Sequence, residues 1–438
     1  MGVPRRSALI PAALSLVAAL VATLPATASG AWRVPTRIAE GVVYTRIYDP
    51  RGPWRIRVIS VAADSPARLD VALSNNRLPG LETTSSMARR NGAIAAVDGD
   101  YARPSGRPVY TFARNGWLAQ STPSWGRSFA LGPDRFGYVG HAALAVSATD
   151  VVTGSTVRVD RFNQGRPALR QVGAFTPAGG RLESPPRFAC SVRLRPLAGP
   201  VAGPGGAGVV TEVEARRCGA RPLARQGGIV LATPFYGPRA AAIQSMAVGH
   251  EVTLSWSVGW PRVLDVIGGN PTLVRGGRVV APRGTSAFDR RHPRTGVGVT
   301  PGGRVLLVTV DGRRPGYSVG MTTRGFARLF VSLGAERALN LDGGGSTTMY
   351  VRGKVVNRPS DGVERPVSSA LLVLPPASTA SSTAGSSAPV EASSDRDTLA
   401  LAAMARDAGS IGGLADSLAR RDRLPAPLRA IARSFRRG

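Results

Sequence analysis

The chain has 438 residues, 43% of them apolar, and a formal charge of +29, enough for one large decorated domain or two to three average ones. Its two cysteines and three histidines (His141, His250 and His292) show no His-x-x-x-His or Cys-x-x-Cys spacing, which argues against a catalytic zinc. Lys354 is the sole lysine. The arginine bias reflects base composition, whereas the excess of cations over acids fits polyanionic partners: nucleic acid, anionic lipid or phosphate-bearing wall polymers. No arginine-and-aromatic nucleic-acid module is visible, so nucleic acid is the disfavoured partner.

In chain order, Arg5 and Arg6 precede an apolar run, Ala8–Leu24, and the small-x-small site Ala26-Thr27-Ala28. This predicts a secretory signal peptide over residues 1–28. The alanine-rich run is short for a stable span; an uncleaved anchor is the competing reading. The mature protein is expected to be secreted or wall-associated, with no membrane span. In that compartment Cys190 and Cys218 are expected to pair, a bridge worth roughly 3–4 kcal/mol in the chain-entropy model. Two buried free thiols are the alternative.

From Trp32 to about Val151 short apolar runs alternate with turn residues. Gly41–Tyr44, Ile56–Ala62, Leu69–Leu73, Ala93–Val97, Phe112–Leu118 and Ser128–Leu131 read as strands, and only Leu81–Arg90 as a helix. Residues 160–259, rich in Gly, Pro and Arg, predict a β-rich insertion with strands near Ser191–Leu194, Val209–Glu214 and Val252–Ser257.

Beyond Val263, Gly296–Thr300 and Val305–Val310 predict a hairpin across Pro301-Gly302-Gly303. Phe326, Leu329, Phe330 and Leu333 then fall on one helical face, with Gly334 at its end. Val351–Val356 and Val367–Leu374 read as closing strands. Residues 375–394 are an Ala/Ser/Thr/Pro linker, and 395–438 form a basic tail, weakly helical or disordered. Many closely spaced strands and one convincing helix predict an α+β fold over 32–374. We expect a mixed, mostly antiparallel sheet with a few covering helices, plus the β-rich insertion.

The densest chemistry lies in Ala338–Tyr350, where a short apolar strand ends in Asp342, followed by Gly343, Gly344, Gly345, Ser346 and Thr347. Glycines allow close backbone approach, and concave runs of N–H groups bind anions. The alternative is a turn that only reverses the chain.

Several motifs in order resemble the phosphodiester glycosidase family. They are Asp98-Gly99-Asp100-Tyr101, Ile267–Val274, His292–Gly298, Asp311-Gly312-Arg313, Ser318–Thr322, Asn340–Thr348, Val356–Asp361 and Arg365-Pro366-Val367. The resemblance implies a hydrolase that cuts the glycosidic bond of a sugar-1-phosphodiester, releasing free sugar and leaving a phosphomonoester. Together with the positive charge and the expected export, this points to phosphate-bearing extracellular glycans as substrates and anionic wall polymers as partners. Two positions depart from the family pattern. Arg324-Gly325-Phe326-Ala327 lacks the usual helix acid, and only Tyr101 remains of an aromatic pair.

Loss of a phosphate monoester needs little acid assistance, but it needs cations and N–H donors for the developing charge. A carboxylate must attack or activate water. The candidate catalytic residues are Asp342, Asp311, Asp100 and Arg294. The candidate substrate-binding residues are His292, Thr295, Gly343, Gly344, Gly345, Ser346, Thr347, Asn357, Arg365, Gly268, Gly269 and Asn270. Asp98 and Asp100 read equally as catalytic groups, as turn acids or as ligands of a structural calcium ion, the sole cofactor suggested. The rivals are a non-catalytic binding module for anionic wall polymers and a metal-dependent phosphodiesterase, the latter disfavoured by the scarcity of histidine.

Overall fold

The computed structural model describes Gly2 and residues 30–376, apart from 122–125, 134–136, 180–184, 204–205, 221–222, 224–227 and 285. The expected signal peptide, nearly all of the linker and the basic tail lie outside the described residues.

An eight-stranded antiparallel sheet organises the site. Its order is Trp32–Ala39, Val42–Asp49, Trp54–Val61, Val305–Val310, Arg294–Val299, Arg337–Asn340, Thr272–Arg275 and Arg278–Val279. The predicted hairpin is present, Arg294 pairing with Val310 and Val299 with Val305. Every residue of both its strands is buried, because the sheet is covered on both faces. Alternation decides which residue goes where. Ile56, Val58, Leu306 and Val308 join Phe326, Ala327 and Phe330 of the helix Thr323–Ser332 in one apolar cluster. Ile59, Val61, Val297 and Leu307 join Val97, Phe129, Ile267 and Leu371 of two smaller sheets in another. The helix begins at Thr322, whose side chain accepts from Gly325 N, and Gly334 follows its end at φ +84°.

The first smaller sheet runs Lys354–Val355, Met349–Val351, Ala95–Asp98, Ser369–Leu374, Arg68–Leu73. The second runs Trp117–Gln120, Phe112–Arg114, Asp265–Gly269, Arg127–Leu131, Gly137–His141. The run Phe112–Leu118 is therefore two strands. Asn115 and Gly116 have φ +50° and +79° and form the tight turn for which Asn-Gly is the strongest short signal.

Residues 145–257 supply a nine-stranded sheet with its own core of Val192, Leu194, Val213, Leu231, Val252 and Trp256. Cys190 and Cys218 stand opposite each other in register there and are bonded. One short pair, Arg161–Phe162 with Gly173–Phe175, is parallel; all other described pairs are antiparallel. The α+β expectation captures the antiparallel sheets and the few helices but understates the strands. Among the described residues the molecule is mostly β, with 27 strands and three α-helices.

Asp265 opens the central strand of its sheet, where its carboxylate accepts from Asn115 N at 2.6 Å. Burial pushes its pKa up to about 7, and the nearby Asp70 adds to the rise. The folded state thus holds a proton that the unfolded chain releases near pH 4, so stability falls as pH rises from about 4 to 7. Asp265→Asn keeps the acceptor and removes the ionisation. In urea unfolding it is expected to gain on the order of 1–3 kcal/mol over wild type at pH 8, with the gain shrinking towards pH 4.

Candidate active site

Strand pairing brings the candidate residues to one edge. Arg294 starts a strand whose partner ends just before Asp311, and Asn340 stands opposite Gly296. Past Asn340, Leu341 N donates to Thr295 O and Asp342 N to Gly99 O, both at 2.9 Å. Asp342 is thereby set between the arms of the Asp98-Gly99-Asp100 motif.

The glycines that follow admit arginines. Gly344 has φ +61°, and a Cβ there would lie 2.9 Å from Arg313 Nη2. A Cβ on Gly345 would lie 2.1 Å from both Arg365 Nη2 and Asp361 Oδ2. Arg365 is itself paired with Asp361 through Nε at 2.9 Å. Much of the expected N–H cradle is spent internally. Gly343 N donates to Asp342 Oδ1 at 2.8 Å, and Gly344 N to Pro293 O, Ser346 N to Gly343 O and Thr347 N to Gly344 O. Charge at this loop comes chiefly from guanidinium groups.

Three carboxyl groups form the acidic part. Asp98 and Asp100 are fully buried and Asp342 is half-buried. Asp98 Oδ1 accepts from Thr295 Oγ1 at 2.8 Å and Thr348 N at 2.9 Å, while Oδ2 has no partner. Asp100 Oδ2 accepts from Tyr110 N at 2.7 Å, and its Oδ1 is likewise unpartnered. Burial drives the Asp98 pKa well up and the Asp342 charge adds to it. Burial does the same at Asp100, with Asp342 again adding. At Asp342 burial also raises the pKa, against hydrogen bonds from Ser346 and Gly343 and the charge of Arg365. Burial first, and the like charge of Asp342 after it, thus favour the neutral form at Asp98 and Asp100 over that at Asp342. Among the described residues no three His, Cys, Asp or Glu converge as metal ligands.

The cationic part centres on Arg294, only 2% exposed. Its Nε donates to Met321 O at 3.0 Å and its Nη2 to Phe288 O at 2.6 Å and Arg290 O at 2.9 Å. It has no carboxylate partner among the described residues. Burial lowers its pKa to about 10. Phe288 lies beneath its guanidinium at 5.0 Å and beside the Tyr101 ring at 6.3 Å. Tyr101 OH donates to Asn270 O at 2.5 Å and accepts from Asn340 Nδ2 at 2.6 Å. His292 Nε2 donates to Ala287 O at 2.7 Å, which leaves Nδ1 to accept from Arg313 at 3.4 Å.

Other candidate residues face the scaffold. Asp311 accepts from Arg358 N and Tyr317 OH, both at 3.1 Å, with Arg57 at 3.9 Å. Asn357 accepts from Met349 N at 2.7 Å and donates to Thr347 O at 2.9 Å, bracing the segment after the glycines. Thr295 is committed to Asp98, and the Thr347 hydroxyl is buried without a partner. Gly268 and Gly269 permit packing, since a Cβ would meet Tyr110 Cβ at 2.1 Å and Asn340 O at 2.4 Å respectively. Asp98 as a site acid, Tyr101, Asn340, Arg313 and Phe288 are absent from the candidate set. The first four lie inside the recognised motifs and were legible there; Phe288 carries no local signal.

Residues 225–374 match the family model described as phosphodiester glycosidase. The chain resembles the phosphodiester glycosidases. Arg294, Asp311, Asp342 and the glycine loop fall inside the matched stretch; Asp98 and Asp100 precede it. An uncharacterized SPbeta prophage-derived protein of Bacillus subtilis is 42% identical over 83 residues, 19% of this chain and 13% of that protein. The match thus spans a small part of that relative's length. Among solved structures, a Burkholderia pseudomallei protein described as exported aligns over 79% of this chain and 97% of its own, with TM-score 0.56 and 21% identity. A hypothetical Synechocystis protein aligns over 76% and 62%, with TM-score 0.57 and 21% identity. The zebrafish N-acetylglucosamine-1-phosphodiester alpha-N-acetylglucosaminidase catalytic domain aligns over 79% and 88%, with TM-score 0.40 and 14% identity. No helix among the described residues is long and apolar enough to cross a membrane.

The acid cluster makes a testable demand. If Asp98 is held neutral, Asp98→Asn keeps the acceptor for Thr295 and Thr348 and puts an amide N–H where the acid proton sits. Its stability at pH 7 is expected to stay within about 1 kcal/mol of wild type. Asp98→Ala strands two buried donors at about 1–3 kcal/mol each. Urea unfolding of the two variants distinguishes these outcomes, and equal, large losses would mean an ionised Asp98.

Proposed function

We propose that the protein is an exported hydrolase that cleaves the glycosidic bond of sugar-1-phosphodiesters, acting on phosphate-bearing extracellular glycans. The observation that carries the reading is Arg294, a buried guanidinium with no carboxylate at ion-pair distance among the described residues, on the strand end whose Cα lies 3.8 Å from where a Cβ on Gly343 would be, and with the Arg313 charge near it. A buried cation lacking an anion is costly; a phosphodiester oxygen supplies that anion. The likeness over residues 225–374 agrees.

In this mechanism the sugar C1–O bond breaks and the phosphate keeps its oxygen. Asp342 acts on C1 directly or takes a proton from the attacking water, and water supplies the hydroxyl of the freed sugar. Arg294, with Arg313 near the glycine loop, holds the departing phosphate monoester. Burial and the Asp342 charge push the Asp98 and Asp100 carboxyls up, which leaves Asp342, with its hydrogen bonds and Arg365, the more readily ionised of the three. Tyr101, Asn340 and Asn270 form a polar rim for sugar hydroxyls, and Phe288 an apolar one.

Incubation with a panel of sugar-1-phosphodiesters, with and without chelator, tests the reading. Free sugar and a phosphomonoester are expected. Release of a sugar phosphate, dependent on metal, would identify a phosphodiesterase instead. Absence of turnover together with salt-sensitive polyanion binding would favour a binding module.

Asp342→Asn is expected to lower kcat by about 10²–10⁴-fold while the fold survives. In wild type, kcat/KM should rise with pH through an apparent pKa above that of a free carboxyl, because Asp342 is raised and must be ionised to act. Arg294→Ala should cost about 10²–10³-fold, and Arg294→Lys should recover only part, lacking the planar fork. Folded variants with wild-type kinetics would remove both residues from the mechanism.

A further inference from the structure

The nine-stranded sheet carries a surface that the proposed chemistry does not use. Strands Ala189–Pro196 and Ile229–Pro234 pair with Ala189 opposite Pro234, so Phe188 and Phe235 stand just beyond the paired ends, joined by Phe235 N donating to Phe188 O at 3.2 Å. Tyr236 meets the Phe235 ring edge-on at 4.8 Å. Leu169 borders them, its carbonyl lying 2.4 Å from where a Cβ on Gly237 would be.

Tyr236 is 84% exposed, Leu169 57%, Phe188 53% and Phe235 36%. Tyr236, Phe188 and Phe235 are three of the six exposed aromatic side chains among the described residues. Contiguous exposed apolar groups of this kind mark interaction sites. Arg187 lies 5.9 Å from the Phe188 ring, and Arg170 follows Leu169 in the chain. Both are exposed, and neither has an ion-pair partner among the described residues. The Cys190–Cys218 bond lies two residues from Phe188, where Cys190 also pairs with Thr233. It braces the strand ends that present the rings, which lowers the ordering cost of binding.

We propose that this aromatic and arginine surface is a non-catalytic site for a phosphate-bearing glycan. Ring faces cover the C–H face of a pyranose by apolar burial, and unpaired guanidiniums take the phosphate oxygens. The identity of the glycan rests on the function proposed above; the surface itself does not. A neutral glycan would leave both arginines unused, and a bare polyphosphate would leave the rings unused.

The test compares full-length wild type with the double variant Phe188→Ser, Tyr236→Ser. The probes are a polymer of hexose-1-phosphate repeats, dextran as the uncharged control and polyphosphate as the sugar-free one. Wild type should bind the hexose-phosphate polymer more tightly than either control. The double variant should lose about tenfold or more in affinity, and Arg170→Ala with Arg187→Ala should flatten its salt dependence. Hydrolysis of a small sugar-1-phosphodiester should be unchanged in both. Equal polymer binding by wild type and double variant overturns the proposal, as does a shift from dimer to monomer in sedimentation with polymer affinity retained. Wild type that binds the polymer but hydrolyses nothing would sink the enzyme reading and leave this site standing.

Discussion

The site depends on how closely one helix lies on one sheet. Phe326 and Phe330 sit directly over Gly296 and Gly298, where a Cβ would come within 2.9 Å and 2.7 Å of their rings. That fit fixes the strand Arg294–Val299 beneath the helix, and pairing then fixes its neighbours. Gly296 opposite Asn340 places Asp342 two residues past the sheet edge, and Arg294 opposite Val310 brings the other strand end to the same edge. A one-residue slip would reverse the faces of the whole strand, burying Thr295 and Val297 against the helix and turning the glycines away. The position of the reactive groups is thus a consequence of hydrophobic packing well away from them.

Charge is arranged in opposition to the composition. In a chain of +29 most arginines among the described residues are exposed, whereas Arg294 is enclosed by carbonyl oxygens of Met321, Phe288 and Arg290. Carbonyl dipoles satisfy the donors without cancelling the charge, which Asp289 offsets only in part and without an ion-pair contact. The acids are treated in the reverse sense. Asp311 is surrounded by Arg57, Tyr317 and the Arg358 N–H, while Asp98 and Asp100 each keep one oxygen bare. Burial raises the pKa in both environments, but at Asp311 a nearby guanidinium and several donors oppose it, whereas at Asp98 and Asp100 the Asp342 charge adds to it.

Strand positions were legible where alternation or unbroken burial left one reading, as in Val305–Val310 and the helix around Phe326. Legibility failed where two strands touch through a tight turn, as at Asn115-Gly116, and in the overall weight of β structure, which short strands under Gly- and Pro-rich spacing conceal. For the site, the motif around Asp342 directed attention to the sheet edge where Asp98, Asp100 and Arg294 also lie. Residue types alone could not divide its polar members between ligand and scaffold. Asn357 and Thr295 are as hydrophilic as Asn340, yet their partners are Met349 N and Asp98, contacts set by chain segments distant in sequence. Phe288 was invisible because nothing local marks an exposed phenylalanine beside a Gly- and Arg-rich loop.

The glycine run illustrates how one sequence signal can arise from two causes. Three consecutive glycines suggest N–H groups offered to an anion, yet several of the loop donors are used within the turn or by Pro293. What the missing side chains provide is room. Arg313 and Arg365 occupy the space that Cβ atoms at Gly344 and Gly345 would take. A guanidinium brings a full charge and a planar fork where a peptide N–H brings a partial charge, so in the proposed reading access by arginines replaces a cradle of amides as the means of holding an anion. It also makes recognition depend on side chains that are exposed and, at Arg365, already paired with Asp361. In the proposed reading a phosphate competes there with that carboxylate, whereas Arg294 has no carboxylate at ion-pair distance among the described residues and feels Asp289 only through its charge.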